Sequence, residues 1–156
     1  MGLDMYLSAR KFLWTSFDKS KPNRDDEISN AIRELVPEIG DMKPRYIEVE
    51  AMYWRKANHI HAWFVDNVQD GNDDCGYYSV SREQLQELAE LCEQALADPD
   101  FAVENLPTRS GFFFGGTEYD EYYLDMCQDT AAAIRKILEN PGFNEGYWEF
   151  QYHSSW

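Results

Sequence analysis

The chain has 156 residues, and its 29 Asp and Glu against 14 Lys and Arg leave a net charge of −15. That length suits one domain, residues 1–156, and the charge excludes a bare nucleic-acid backbone or an anionic membrane as a direct partner unless the few cations cluster. Hydrophobic residues at 44%, with 15% aromatic, exclude a disordered chain and are enough for a sizeable core.

Residues 3–10 alternate, Leu3, Met5 and Leu7 against Asp4, Tyr6 and Ser8, which predicts a half-buried strand. Ser16 to Asp26 is polar, contains Pro22 and reads as loop. Ile28, Ala31, Ile32, Leu35 and Val36 then recur at helical spacing, and Pro37 with Gly40 closes that short helix. Arg45 to Tyr53 alternates again, with Ile47, Val49 and Ala51 on one face and Glu48 and Glu50 on the other, predicting a second strand. Residues 54–68 read as a helix with Trp54, Ala57, Ile60, His61, Phe64, Val65 and Val68 inward.

Gln69 to Gly76 is rich in turn residues and Tyr77 to Val80 is a short strand. Ser81 with Gln84 forms a capping box for a third helix, which carries Leu85, Leu88, Leu91, Cys92, Ala95 and Leu96 inward and stops at Asp98-Pro99. Gly111 to Phe114 is apolar and reads as extended. Thr117 with Asp120 makes a second box, opening a helix with Tyr119, Tyr122, Tyr123, Met126, Thr130, Ala133, Ile134 and Ile137 inward. Tyr147 to His153 alternates as a last strand. Strands at both ends with helices between predict an α+β fold, an antiparallel sheet that includes both terminal strands and packs against about four helices.

The densest chemistry lies in Tyr53-Trp54-Arg55-Lys56-Ala57-Asn58-His59-Ile60-His61-Ala62-Trp63-Phe64. On a continuous helix His61 falls on the apolar face and His59 near its opposite, beside Arg55, so the two diverge by about 200° and cannot share one metal. A histidine on an apolar face is ordinarily a hydrogen-bonded core residue; the sharper alternative places His61 in a pocket as acid, base or ligand contact. Asp73 and Asp74 sit in the following loop, positioned to partner His61, to hold a hard cation or to act as turn and cap residues. That loop is not an EF-hand: its glycine is misplaced and Ser81 stands where a bidentate Glu is required. Gly115-Gly116-Thr117 feeds a helix amino terminus able to dock an anion, but Glu118, Asp120 and Glu121 line the first turn and compete with it. Tyr53, Arg55, Lys56, Asn58, His61, Trp63, Asp73, Asp74 and Thr117 therefore form the candidate pocket, with aromatic walls and polar anchors for a nucleotide-like molecule.

The charge is uneven. Residues 1–65 hold 10 acids and 10 bases, whereas residues 66–156 hold 19 acids and only Arg82, Arg109, Arg135 and Lys136. Glu83, Glu87 and Glu90 share one side of the third helix, and Glu118, Glu121, Asp125 and Asp129 share one side of the fourth, a carboxylate every ~5 Å. Like charges so spaced destabilise a helix by a few tenths of a kcal/mol each, a cost that a basic partner surface offsets. Three cysteines, Cys75, Cys92 and Cys127, are an odd set without Cys-x-x-Cys spacing, so no disulfide framework, metal site or cofactor is expected. No apolar run nears the ~20 residues of a membrane span, and the opening lacks the basic flank and long apolar stretch of a signal peptide. The expected location is the cytoplasm.

Met1-Gly2-Leu3-Asp4-Met5-Tyr6-Leu7, Tyr53 to Asn58 with His61 and Trp63-Phe64, Asp73-Asp74-Cys75, Leu106-Pro107-Thr108 and Gly111 through Tyr123 together resemble an uncharacterised family of small bacteriophage and prophage proteins. The resemblance covers most of the chain outside residues 11–45 and the tail. It implies a phage-related accessory role in a host cytoplasm and brings no site residues. The expected function is a non-enzymatic acidic binding protein, an inhibitor of a host or defence protein acting through a surface like that of a nucleic acid. The alternatives are a small-ligand pocket or modest enzyme built around Arg55, His61 and Asp74, and a structural role in a virion.

Overall fold

The computed structural model describes residues 2–145 and 147–156. Its elements run β1 (Asp4–Phe12), α1 (Arg24–Leu35), β2 (Tyr46–Arg55), α2 (Asn58–Asn67), β3 (Tyr78–Val80), α3 (Arg82–Ala97), α4 (Pro99–Asn105), α5 (Glu121–Glu139), α6 (Pro141–Glu145) and β4 (Trp148–Ser155), with a single 3-10 turn at Pro37–Ile39. The four strands form one antiparallel sheet in the order β2-β1-β4-β3. The expected α+β class holds, and the terminal strands are central neighbours, with Asp4 opposite Ser155 and Lys11 opposite Trp148.

Alternation decides which side of the sheet is covered. Leu3, Met5, Leu7 and Ala9 leave no accessible surface, and Phe150 and Tyr152 of β4 lie beside them under the helices. Phe64 of α2 stacks on Tyr152 with ring centroids 3.8 Å apart, and α3 and α5 bring Leu85, Leu88, Cys92, Cys127 and Ile134 into the same core. On the opposite face an aromatic ladder crosses the strands: Tyr53, Tyr6, His153 and Tyr77 have successive centroid separations of 5.3, 4.8 and 4.4 Å. Such cross-strand pairs are the usual unit of sheet stabilisation.

Several predicted boundaries shift for local reasons. The register of β1 on β2 slips between Leu7 and Ser8, so that Ala51 is the extra residue of a bulge. Beyond the bulge Met52 and Trp54 point inward opposite Leu7 and Met5, and the strand runs on to Arg55. The predicted helix over 54–68 is thus two elements, and α2 starts at Asn58. The apolar residues at helical spacing on α1 are only partly covered: Ile28 and Ile32 are half-buried, Ser29 is the one fully buried residue of that helix, and Leu35 is 83% exposed. What holds α1 is polar. Asn23 and Asp26 form a reciprocal capping box, and Asp25 accepts from the Lys11 ammonium (2.7 Å) and the Trp14 N–H (2.8 Å).

The Ser81–Gln84 box forms in full, but Asp98 and Pro99 open a further helix, α4, as well as ending α3. Gly111 to Phe114 is a turn, closed by the Phe114 N–H on the Gly111 carbonyl, and not an extended segment. Thr117 is not the cap of α5. Asp120 is, accepting from the Tyr123 N–H at 3.1 Å.

Candidate functional site

The chain turns sharply between β2 and α2. Lys56 takes a left-handed backbone at φ 57°, a conformation that costs a residue with a β-carbon about 1–2 kcal/mol. Its N–H donates to the Leu3 carbonyl (2.7 Å), and its own carbonyl accepts from the Asn58 N–H (2.9 Å). The loop before α5 closes over this corner at Gly115 (φ 88°), where a β-carbon would lie 3.1 Å from the Lys56 side chain. Asn58 locks the loop in place: its amide donates to the carbonyls of Phe114 (3.1 Å) and Gly116 (2.7 Å), and its oxygen accepts from the Arg109 N–H (3.0 Å). The Tyr122 hydroxyl donates to the Arg55 carbonyl.

These contacts leave a cleft of about 390 Å³ between the corner and the start of α5. Arg55 and Lys56 stand on one side, Glu118, Asp120 and Tyr122 on the other, and His59 with Tyr123 forms the floor. Neither Arg55 nor Lys56 makes an ion pair among the described residues. α2 starts at the same place with no side-chain cap, its first residues buried and its Asn58 N–H turned onto the Lys56 carbonyl.

The floor differs from the expected arrangement. Because α2 begins at Asn58, His59 does not sit out beside Arg55. It is 3% exposed, its ring centroid lies 4.1 Å from that of Tyr123, and its Nε2 has no hydrogen-bond partner. Behind it lie Cys127 and Cys92, both buried and both free thiols. Hydrogen bonding from Cys92, then from His59, favours the Cys127 thiolate against the effect of burial, while the bond to Cys127 and burial push the Cys92 thiol up. Cys127 has no accessible surface, so this group is enclosed and not a nucleophile open to solvent. In sequence, Tyr123 and Cys127 on one face of α5 and Cys92 on the inward stripe of α3 were the available signal; only packing adds His59.

On the other flank of α2, His61 has no accessible surface and both ring nitrogens are used. Nδ1 lies 2.7 Å from the Tyr152 hydroxyl and Nε2 3.1 Å from Asp73 Oδ2, while Asp73 Oδ1 accepts from the Trp156 indole N–H at 3.0 Å. A neutral imidazole protonated at Nε2 satisfies the whole chain: the phenol donates to Nδ1 and Nε2–H donates to the carboxylate. Burial pulls the His61 pKa down, with Asp73 partly opposing it, and burial pushes the Tyr152 phenol up. With every lone pair and proton engaged, His61 is a core residue as the simpler reading holds, bonded to side chains and not to a backbone carbonyl.

The nine candidate pocket residues therefore do not share one pocket. Arg55, Lys56 and Asn58 meet at the cleft; His61 and Asp73 meet in the buried chain; Trp63 is core and borders a smaller hollow of about 320 Å³ beside Asp66 and Arg109. Asp74 serves the turn, accepting from the Gly76 N–H (2.8 Å) and the Tyr78 hydroxyl (3.0 Å). Tyr53 bonds Asp4 on the outer sheet face, and Thr117 offers its carbonyl to Thr108. Arg55, His61 and Asp74 do not converge. All seven predicted stripe carboxylates are exposed, and none makes an ion pair among the described residues; Arg135 of α5 is instead held by Glu93 through two 2.8 Å bonds. No group of three metal-ligating side chains occurs among the described residues, and none of their helices is long and apolar enough to cross a membrane. No protein-family model, curated protein or solved structure matches this chain.

Proposed function

We propose that the chain is a non-enzymatic binding protein, a phage-related inhibitor of a host or defence protein, whose acidic helices engage a basic protein surface in the cytoplasm. One observation carries the reading: Glu83, Glu87 and Glu90 on α3, and Glu118, Glu121, Asp125 and Asp129 on and beside α5, are exposed on two packed helices and make no ion pair among the described residues. A helix of 19 residues is about 28 Å long. Repulsion along such a stripe is a standing cost, and the binding of a complementary cationic surface relieves it. The neutral front half of the sequence and the resemblance to phage accessory proteins support the same reading.

Electrostatic association of this kind weakens with salt, because exposed charges are screened over about 10 Å at 0.1 M and about 3 Å at 1 M. A partner captured from host lysate and identified is expected to bind at about 50 mM salt, to be lost by about 500 mM, and to be lost at low salt from a variant with Glu83, Glu87, Glu90, Glu121, Asp125 and Asp129 changed to Gln or Asn. Equal retention across the salt series, or by that variant, overturns the reading.

A further inference from the structure

We propose that the corner cleft between β2 and the start of α5 binds a nucleoside monophosphate, its phosphate held by Arg55 and Lys56 near the positive end of α2 and its ribose hydroxyls held by Glu118. The inference is independent of the acidic-surface reading.

The first support is the pair of bases. Acids outnumber bases 29 to 14 in this protein, yet Arg55 and Lys56, adjacent in sequence and both exposed, have no ion-pair partner among the described residues. They border a cleft of about 390 Å³, at the small end of the roughly 300–1,000 Å³ typical of small-molecule sites. That size suits a single nucleotide and not a dinucleotide.

The second support is the backbone. Lys56 is held in a strained left-handed conformation, and strain of this kind persists only where the surroundings over-determine it, characteristically at ligand clamps. The same turn leads directly into α2, a helix of 10 residues without a side-chain cap. Residues 57–60 at that start are buried and the Asn58 N–H is bonded to the Lys56 carbonyl, so what the helix lends a phosphate at the cleft is the positive end of its dipole. The neighbouring terminus of α5 is excluded from that role, since Asp120 already caps it.

The third support is the opposite wall. Glu118 has no cationic partner among the described residues, and a carboxylate facing a phosphate site is the group that accepts hydrogen bonds from a ribose diol. Tyr122 is 46% exposed and presents an aromatic ring for a base to stack on. At the floor, His59 and Tyr123 are almost fully buried and pack ring against ring, closing the cleft from below.

Isothermal titration calorimetry on the full chain, with nucleoside 5′-monophosphates, the matching nucleosides and inorganic phosphate as separate arms, tests this. At least one monophosphate is expected to bind below about 1 mM, with its nucleoside and inorganic phosphate each at least about tenfold weaker. The double variant Arg55→Gln/Lys56→Gln is expected to lose at least about tenfold in affinity, and Glu118→Gln a smaller factor. Lys19→Gln/Lys21→Gln, which removes two exposed bases elsewhere, should bind as the parent does. Circular dichroism establishes that each variant is folded. No monophosphate binding at about 1 mM overturns the proposal, as does a nucleoside or inorganic phosphate binding as tightly as the monophosphate, or a folded Arg55→Gln/Lys56→Gln protein with unchanged affinity. None of these variants except Glu118→Gln touches the acidic stripes, so failure here leaves the surface reading to its own salt test.

Discussion

The two flanks of α2 treat their histidines in opposite ways. On the Tyr152 side, His61 sits in a closed chain of phenol, imidazole, carboxylate and indole in which every polar atom has a partner. On the Tyr123 side, two residues earlier, His59 is equally buried but keeps an unpaired Nε2 beneath a cleft with two uncompensated bases at its rim. A buried network that is fully satisfied specifies and rigidifies a core. A buried polar atom left unsatisfied costs stability, and among the described residues His59 Nε2 shares that state with Ser29 Oγ, Gln69 Oε1 and Ser154 Oγ. Burial alone does not tell the two histidines apart; the accounting of their partners does.

Removing each side chain should break the symmetry of that pair. His61→Ala leaves the Tyr152 hydroxyl buried without a partner, strips Asp73 of a donor and opens a void, so a loss of about 3 kcal/mol is expected in urea unfolding. If His61→Ala and His59→Ala cost the same, the contrast drawn between the flanks is wrong.

Acid should separate them next. The folded pKa of His61 lies below its unfolded value of about 6.5, so between those two pH values the unfolded chain binds the extra proton. Stability is then complete above pH ~6.5 and falls with acidification, by at most about 1.4 kcal/mol per pH unit for this one site. The pH dependence of the unfolding free energy of His61→Gln should be flatter below ~6.5, leaving the weaker contribution of His153, whose pKa is also lowered by burial. Asp25 and Glu93, both with pKa values lowered, add their losses only below the ordinary carboxylate range. A His61→Gln profile that superposes on the parent's rejects the neutral buried imidazole.

The smallest effect belongs to His59→Phe. Replacing a buried ring whose Nε2 is unpaired with an apolar ring on Tyr123 should leave the unfolding free energy within about 1 kcal/mol of the parent. A loss as large as that of His61→Ala indicates instead a structural hydrogen bond at His59.

Much of the scaffold was legible because local chemistry wrote it. Leu3, Met5 and Leu7 alternate and are buried; Ser81 and Gln84 spell a cap and form one; the stripe Leu85, Leu88, Cys92, Ala95 faces the core. What was illegible depended on partners distant in sequence. The bulge at Ala51 changes the phase of β2, so Trp54 continues a strand although its spacing to Ala57, His61 and Phe64 reads as helical. That one-residue slip moved the predicted start of α2 and with it the assigned environment of His59. On α1 the periodicity of Ile28, Ile32 and Leu35 was real, but the stripe is only partly covered, with Leu35 left exposed, and Lys11 with the Asn23–Asp26 cap holds the helix. At the site, Arg55, Lys56 and Asn58 stood out as a motif, whereas the enclosing Glu118, Tyr122 and Tyr123 come from a segment some 60 residues later that only the fold brings across.

The pairing of β1 with β4 has a bearing on how the polypeptide is born. Asp4 faces Ser155 across the middle of the sheet, so the innermost ladder joins two segments about 150 residues apart. β1 is made about 140 residues before β4, so the edge that β4 covers stays unpaired, and the Leu3, Met5, Leu7 and Ala9 face incompletely packed, over all of that synthesis. Loop closure over that distance makes folding slow and late, and an apolar strand left waiting is a target for chaperones and for mispairing with other nascent chains.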